Sequence, residues 1–173
     1  MFINKTIRIL ASIWLITSIT GCATEQISID DSQLHNRIWD SKSARYISKQ
    51  EFYDAVLVAD YIILGETHDN PEHHEIQSDV LQFMLENNRR PAVVMEMLDV
   101  SDQSSIDKFL ASQGDSTGFN EAVGFAKKGW DWPLYQPLIE QALQNRLVIR
   151  AGNLPRKDLQ GIFRGQPLQH GPE

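Results

Sequence analysis

Tyr61-Ile62-Ile63-Leu64-Gly65-Glu66-Thr67-His68-Asp69-Asn70-Pro71 is the stretch on which the reading of the fold turns. Its first four residues form a brief apolar run stopped by a glycine, which is the signature of a strand covered on both faces. Asn70 is a good helix cap, Pro71 suits the first helical position, and Glu72 and Glu75 complement the positive end of the helix dipole. Ile76, Val80, Leu81, Met84 and Leu85 then recur at helical spacing and predict one apolar face. Ala92-Val93-Val94-Met95 is a second apolar run, so residues 61–95 read as a strand-helix-strand unit with parallel strands. Leu147-Val148-Ile149 is a third, reached through helices predicted near residues 102–112, 119–127 and 137–145. Upstream, Arg37-Ile38-Trp39 and Arg45-Tyr46-Ile47 flank the polar Asp40-Ser41-Lys42-Ser43 and predict a short hairpin. Ser48 with Glu51 is a capping box for a short helix carrying Phe52, Ala55, Val56 and Val58. The predicted fold class is α/β: a parallel sheet with three visible core strands and helical crossovers, preceded by the hairpin.

Ligands of open α/β sheets gather outside the carboxyl ends of the strands. The three predicted strands run into Glu66 and His68, into Glu96, and into Asn153 and Arg156, which places these residues on one rim. Gly65 would let the backbone turn tightly there. An acid directly after a buried apolar run needs a partner, because burying an unpaired charge costs several kcal/mol. His73 falls on the stripe of Ile76, Val80 and Met84, where a hydrogen-bonded core histidine is as good a reading as a ligand. His74 falls at the edge of that stripe and reads as a solvated or rim residue. Glu66, His68 and His73 do not form a complete zinc signature. In Trp130-Asp131-Trp132-Pro133-Leu134-Tyr135-Gln136-Pro137, Trp132 reads as core, and Tyr135 precedes a helix start from which its phenol could project outward.

The chain has 16 Lys+Arg against 23 Asp+Glu and a formal net charge of −7, which argues against a nucleic-acid partner. A single Cys excludes a disulfide framework and a cysteine-based zinc site. That Cys stands in a telling place. Lys5 and Arg8 precede the apolar Ile9-Leu10-Ala11-Ser12-Ile13-Trp14-Leu15-Ile16, and Ile19-Thr20-Gly21-Cys22 closes the segment. The apolar core is too short for a membrane span and reads as an export signal over residues 1–21. The ending resembles a bacterial lipobox, so Cys22 is the expected lipidation site and residues 22–36 the expected tether. Ala23 follows, without the Asp of inner-membrane retention, so the expected location is the outer membrane, facing the periplasm.

Taken together, the segments 62–77 and 93–97, then Trp130-Asp131-Trp132 with Tyr135 and Pro137, then Ala151-Gly152-Asn153-Leu154-Pro155-Arg156, resemble the ChaN family of haem-binding lipoproteins. That family sits in the broader Tiki and erythromycin-esterase-like group. The resemblance runs over about residues 38–164 and implies a ChaN-like domain over 37–164. It implies an iron-regulated lipoprotein that binds haem for iron acquisition, two protomers sharing cofacial haems, and an outer-membrane receptor as a further partner. It also implies a tyrosine phenolate on the iron. Tyr135 is the first candidate, with Tyr46, Tyr53 and Tyr61 behind it, and His68 and His73 are candidates for the propionates. Relatives in the wider group imply an alternative, a hydrolase using Glu66 and His68, with or without a divalent metal. Family members continue well beyond the Asn-Leu-Pro-Arg segment. Here residues 165–173 read as an irregular tail, so the chain is expected to be the N-terminal part of such a domain.

Overall fold

The computed structural model describes residues 36–166. The segment expected to be an export signal, Cys22 and most of the expected tether lie outside the described residues, as do residues 167–173. Every element below belongs to one compact unit that begins at Ile38.

The hairpin forms as expected, one residue on from its expected start. β1 (Ile38–Asp40) pairs antiparallel with β2 (Arg45–Ile47), and Trp39 meets Tyr46 edge-on across it. Asp40 holds the turn by accepting from the Lys42 N–H at 3.0 Å and from the Ser43 hydroxyl. The capping box also forms. Ser48 accepts from the Glu51 N–H at 3.1 Å while Glu51 accepts from the Ser48 N–H at 2.8 Å, and α1 (Lys49–Val58) follows. The far end of α1 has no cap of its own sequence. Arg89 supplies one, its guanidinium donating to the carbonyls of Val56 (3.2 Å), Leu57 (2.5 Å) and Ala59 (3.0 Å). These are the carbonyls a helix end leaves without partners.

α2 (Pro71–Glu86) starts where Asn70 and Pro71 predict, with the Asn70 side chain accepting from the Glu72 N–H at 2.9 Å. Its buried face differs from the predicted one. His74, Val80, Leu81 and Met84 point inward, while Ile76 is exposed. The helix ends on Asn88 in a left-handed conformation (φ 60°), and the Arg89 N–H reaches back to the Met84 carbonyl at 2.8 Å. α5 (Trp132–Gln144) ends the same way, through Arg146 (φ 52°) and a 2.8 Å bond from the Leu147 N–H to the Ala142 carbonyl. Each of these two returns delivers the chain into a strand of one parallel pair.

That pair is β3 (Val93–Asp99) and β4 (Ile149–Asn153), in register from Val93 with Ile149 to Met95 with Ala151, then bulged before Asp99 meets Asn153. Both strands run further than their apolar runs predict. Glu96 consequently lies within β3 on its exposed face, not beyond its end, and Asn153 is the last residue of β4. The parallel sheet with helical crossovers is present. The third predicted strand is not: residues 61–64 make no ladder with β3 among the described residues. Ile62 packs toward Val56, Val80 and Met84, whereas Tyr61 and Ile63 are 91% and 94% exposed. A run of four apolar residues cannot distinguish two covered faces from one, and here only Ile62 is covered.

α3 (Gln103–Ser112) and α4 (Ser116–Val123) join α5 over one face of the sheet. Gly124 (φ 63°) stops α4 four residues before the predicted end, the left-handed conformation being cheap for glycine. Met95, Met97, Leu98 and Ile149 from the sheet meet Ile106, Phe119, Phe125, Tyr135 and Ile139 in the main core. Trp132 stacks on Phe119 and stands edge-on to Phe125, at the edge of that core. On the opposite sheet face Val94 is exposed, as is Val148 just before β4. Gly152 belongs to that face, where an added Cβ would stand 3.0 Å from Val94 Cγ1 and 3.2 Å from the Met95 carbonyl oxygen. The outer edge of β4 is met by a side chain acting as a strand. Gln103 accepts from the Ala151 N–H at 2.8 Å and donates to the Ile149 carbonyl at 3.2 Å. The last element is α6 (Arg156–Phe163). Among the described residues no helix is long and apolar enough to cross a membrane.

The Arg89 cap yields a stability prediction. Arg89→Ala leaves the end of α1 without its donors and should destabilise the protein by about 3 kcal/mol in urea unfolding, and Arg89→Lys should recover only part, since an ammonium cannot span the same carbonyls.

Candidate functional site

Residues 65–70 connect the exposed strand-like run to α2, and the connection is held from the helix side. The Thr67 carbonyl accepts from the Asn70 N–H at 2.9 Å, and the Asn70 carbonyl accepts from the His73 N–H at 3.2 Å. His73 Nδ1 in turn accepts from the Thr67 N–H at 2.8 Å. The turn falls at His68 and Asp69. Gly65 is not in a left-handed conformation and has open space around it, so the tight turn expected of it is not what positions the loop.

Glu66 is the centre of the site. Its side chain is 6% exposed, and its carboxylate accepts from three segments. The Tyr135 hydroxyl of α5 donates to Oε1 at 2.6 Å, His68 Nδ1 lies 2.8 Å from the same oxygen, and Gln77 Nε2 of α2 donates to Oε2 at 2.8 Å. Burial alone would raise this carboxyl. The bonds from Tyr135, His68 and Gln77, with the field of His74, outweigh it and hold the group below its ordinary value. The Tyr135 phenol is pushed strongly upward by its burial and then by the Glu66 carboxylate it donates to, with Glu96 and Asp131 adding to the effect.

Each candidate residue now has a place. Glu66 and His68 are directly joined, and His73 braces the same loop through Thr67. Among the described residues Glu96 has no hydrogen bond to the cluster and acts on it through its charge on Tyr135. Asn153 and Arg156 have no hydrogen bond or ion pair to the cluster among the described residues, so of the five residues expected on one rim only Glu66 and His68 are directly joined. Tyr135 does not project outward. Its helix begins at Trp132, with Pro133 rather than Pro137 as its opening proline, and that start turns Tyr135 inward beside Ile139 and Ala142. It is 1% exposed and its hydroxyl is committed to Glu66, which is the wrong environment for a phenolate ligand.

Two participants escape the sequence reading. His74, read as a solvated or rim residue, is buried. Its ring stands edge-on to Tyr135 at 4.5 Å, Nε2 lies 3.0 Å from the His68 carbonyl, and the unpartnered Nδ1 lies 3.6 Å from Glu66 Oε2. Gln77, about one helical turn beyond it, has an ordinary surface character that hid it, although the spacing of three from His74 already puts the two on one face. Trp130 completes the open side, edge-on to the His68 ring at 4.9 Å. The outward part of the site is thus His68, whose side chain is 52% exposed and whose Nε2 meets no protein group among the described residues.

The opposed shifts of Glu66 and Tyr135 set a pH window. The Glu66 carboxyl sits below its ordinary 4.5 when folded, so its contribution is complete above pH 4.5 and is lost as pH falls through the folded value. The Tyr135 phenol sits above its ordinary 10.0, so its contribution is complete below pH 10 and is lost as pH rises toward the folded value. The melting-temperature advantage of the native protein over Tyr135→Phe should therefore be flat between about pH 5 and 9 and shrink on both sides. An advantage independent of pH would show that the bond carries no charge.

Comparisons with known proteins bear on this arrangement. The family described as haem-binding uptake, Tiki superfamily, ChaN matches residues 52–170, a span that holds Glu66, His68, Gln77 and Tyr135. A solved structure showing cofacial haem binding to ChaN of Campylobacter jejuni is similar, with a TM-score of 0.65 and 26% identity. The match covers 78% of this chain and 55% of that one, so this chain spans about half the length of that relative. No curated protein matches the chain. With the greater part of its length, and the whole Glu66 cluster, inside the family's span, the chain belongs to the ChaN family of the Tiki superfamily.

Proposed function

We propose that this chain binds haem on the open side of the Glu66 cluster and serves haem or iron uptake. The observation that carries the reading is the family match over residues 52–170, supported by the likeness to a ChaN that binds haem cofacially. The residues present suit the group. A ferric porphyrin needs an axial donor, a flat apolar neighbour and polar groups for its propionates. His68 offers an accessible imidazole and Trp130 an indole beside it. His73, in the first turn of α2 and half-buried, would meet a propionate. When bound, haem would supply the iron chemistry. The protein holds the loop, keeps water from Glu66 and orients the imidazole. Glu66, Tyr135 and Gln77 act from beneath as its support.

In the same proposal Cys22 carries lipid, residues 22–36 tether the domain to the outer membrane on its periplasmic side, and two protomers share a haem pair. A receptor of the outer membrane would deliver or take the cofactor. Lipid anchoring suits such a role because it keeps the carrier within reach of a membrane partner without a spanning helix.

A second reading rests on one contact. A buried carboxylate at 2.8 Å from His68 Nδ1, with Nε2 open, is also how a general base is oriented for hydrolysis. Among the described residues no three His, Cys, Asp or Glu side chains converge on a metal position, so this alternative leans on the pair itself.

Two measurements separate the readings. Haemin titrated into the purified full chain should give a saturable Soret band at one haem per protomer, and a featureless titration would end the haem proposal. Ester or peptide turnover by the haem-free chain, abolished by Glu66→Gln, would instead establish the hydrolase.

A further inference from the structure

We propose that the cleft between the α3–α4 connection and the end of α5 binds a short apolar peptide with free termini, its ammonium held by Glu140 and its carboxylate by Arg146. None of the residues lining this cleft belongs to the Glu66 cluster, so the proposal stands apart from the haem reading.

The cleft has a volume of about 480 Å³, within the range that encloses a small organic ligand. Part of its lining is apolar and fixed. Leu110 and Leu143 are half-buried, and Leu147 is buried two residues before β4. An added Cβ at Gly114 would stand 2.4 Å from Phe109 Cζ, so the α3–α4 connection lies directly on that ring, and Phe119 meets the same ring edge-on.

The polar part begins with a carboxylate held at one oxygen. Ser116, 6% exposed, donates its hydroxyl to Glu140 Oε1 at 2.8 Å, and Gln136 Nε2 donates to the same oxygen at 2.9 Å. Oε2 has no hydrogen bond among the described residues. The bonds from Gln136 and Ser116 hold the Glu140 carboxyl below its ordinary value, against burial and the charge of Asp115, so the group is ionised at neutral pH. Asp115 lines the same cleft, with Oδ1 committed to the Gly118 N–H at 2.8 Å. Two like charges there favour a cation beside them.

Arg146 is the opposite pole. It lines the cleft, and its guanidinium makes no hydrogen bond or ion pair among the described residues. Its backbone is fixed in the left-handed turn (φ 52°) that closes α5. A planar guanidinium is the donor best matched to a carboxylate. An acid and a base that share a cleft without pairing leave both poles to an incoming molecule. A peptide with free termini presents the matching pair, and apolar side chains suit Phe109 and the three leucines.

The test titrates leucyl-leucine into the isotope-labelled full chain and follows backbone amide shifts by NMR. Saturable shifts confined to residues 109–116 and 140–147 are expected. Glu140→Gln, whose amide oxygen can still accept from Ser116 and Gln136, should weaken binding by about tenfold or more. Arg146→Gly, which gives the left-handed turn its preferred residue, should do the same. N-acetyl-leucyl-leucine should bind the native chain more weakly than leucyl-leucine and lose nothing further in Glu140→Gln. Leucyl-leucinamide should stand in the same relation to Arg146→Gly. Blocked peptides that bind as tightly as leucyl-leucine, shifts centred elsewhere, or no saturable shift at millimolar peptide would overturn the proposal and leave the haem reading untouched.

Discussion

A carboxylate shut away from water and fed by donors from a loop and two helices is the constraint on which the working end of this protein depends. Glu66 is tolerable in its position because Tyr135, His68 and Gln77 satisfy its oxygens, and His74 stands behind it. Remove any one donor and the others must hold a charge that solvent does not reach. The loop that carries Glu66 has no ladder partner of its own, so this junction also does the structural task of docking residues 65–70 onto α2 and α5. Support and chemistry are therefore not separable here. The same bonds that keep the carboxylate ionised keep the His68 ring facing outward.

The fold around it follows a simple rule of return. α2 and α5 each end on a left-handed residue, Asn88 and Arg146, and the next N–H reaches back over the last turn. That geometry reverses the chain into β3 and β4 with matched register, and Arg90 ties the two returns by donating to the Asn145 carbonyl at 2.6 Å. Neither cap is a glycine. Sequence rules that look for glycine at helix ends pass over both.

Local signals were readable wherever the responsible atoms lie within a few residues. The Ser48–Glu51 box, the Asn70-Pro71 start and the hairpin turn on Asp40 all belong to that class. The parallel pairing of β3 and β4 was legible from apolar runs separated by helical patterns. The misreadings share one cause, that burial is a property of what lies across space. Residues 61–64 look the same whether one face or two are covered. Asp131 and Pro133 compete with Pro137 as the start of α5, and the five-residue difference turns Tyr135 from the surface into the core. His73 and His74 differ by one helical step, which is enough to exchange a half-buried ring for a buried one. Glu66 with His68 was legible as a pair because an acid after an apolar run demands a partner. Its partners Tyr135 and Gln77 lie 69 and 11 positions away and could not be named from spacing.

Gln103 gives the sheet a handedness of growth. Its amide meets the outer rail of β4 at both the Ala151 N–H and the Ile149 carbonyl. A visiting strand would have to evict that side chain, while the opposite rail, along β3, carries no such guard among the described residues. Any polypeptide that extends this sheet must therefore dock beside β3, on the flank nearer the Glu96 carboxylate, and its arrival would alter the electrostatics around Tyr135.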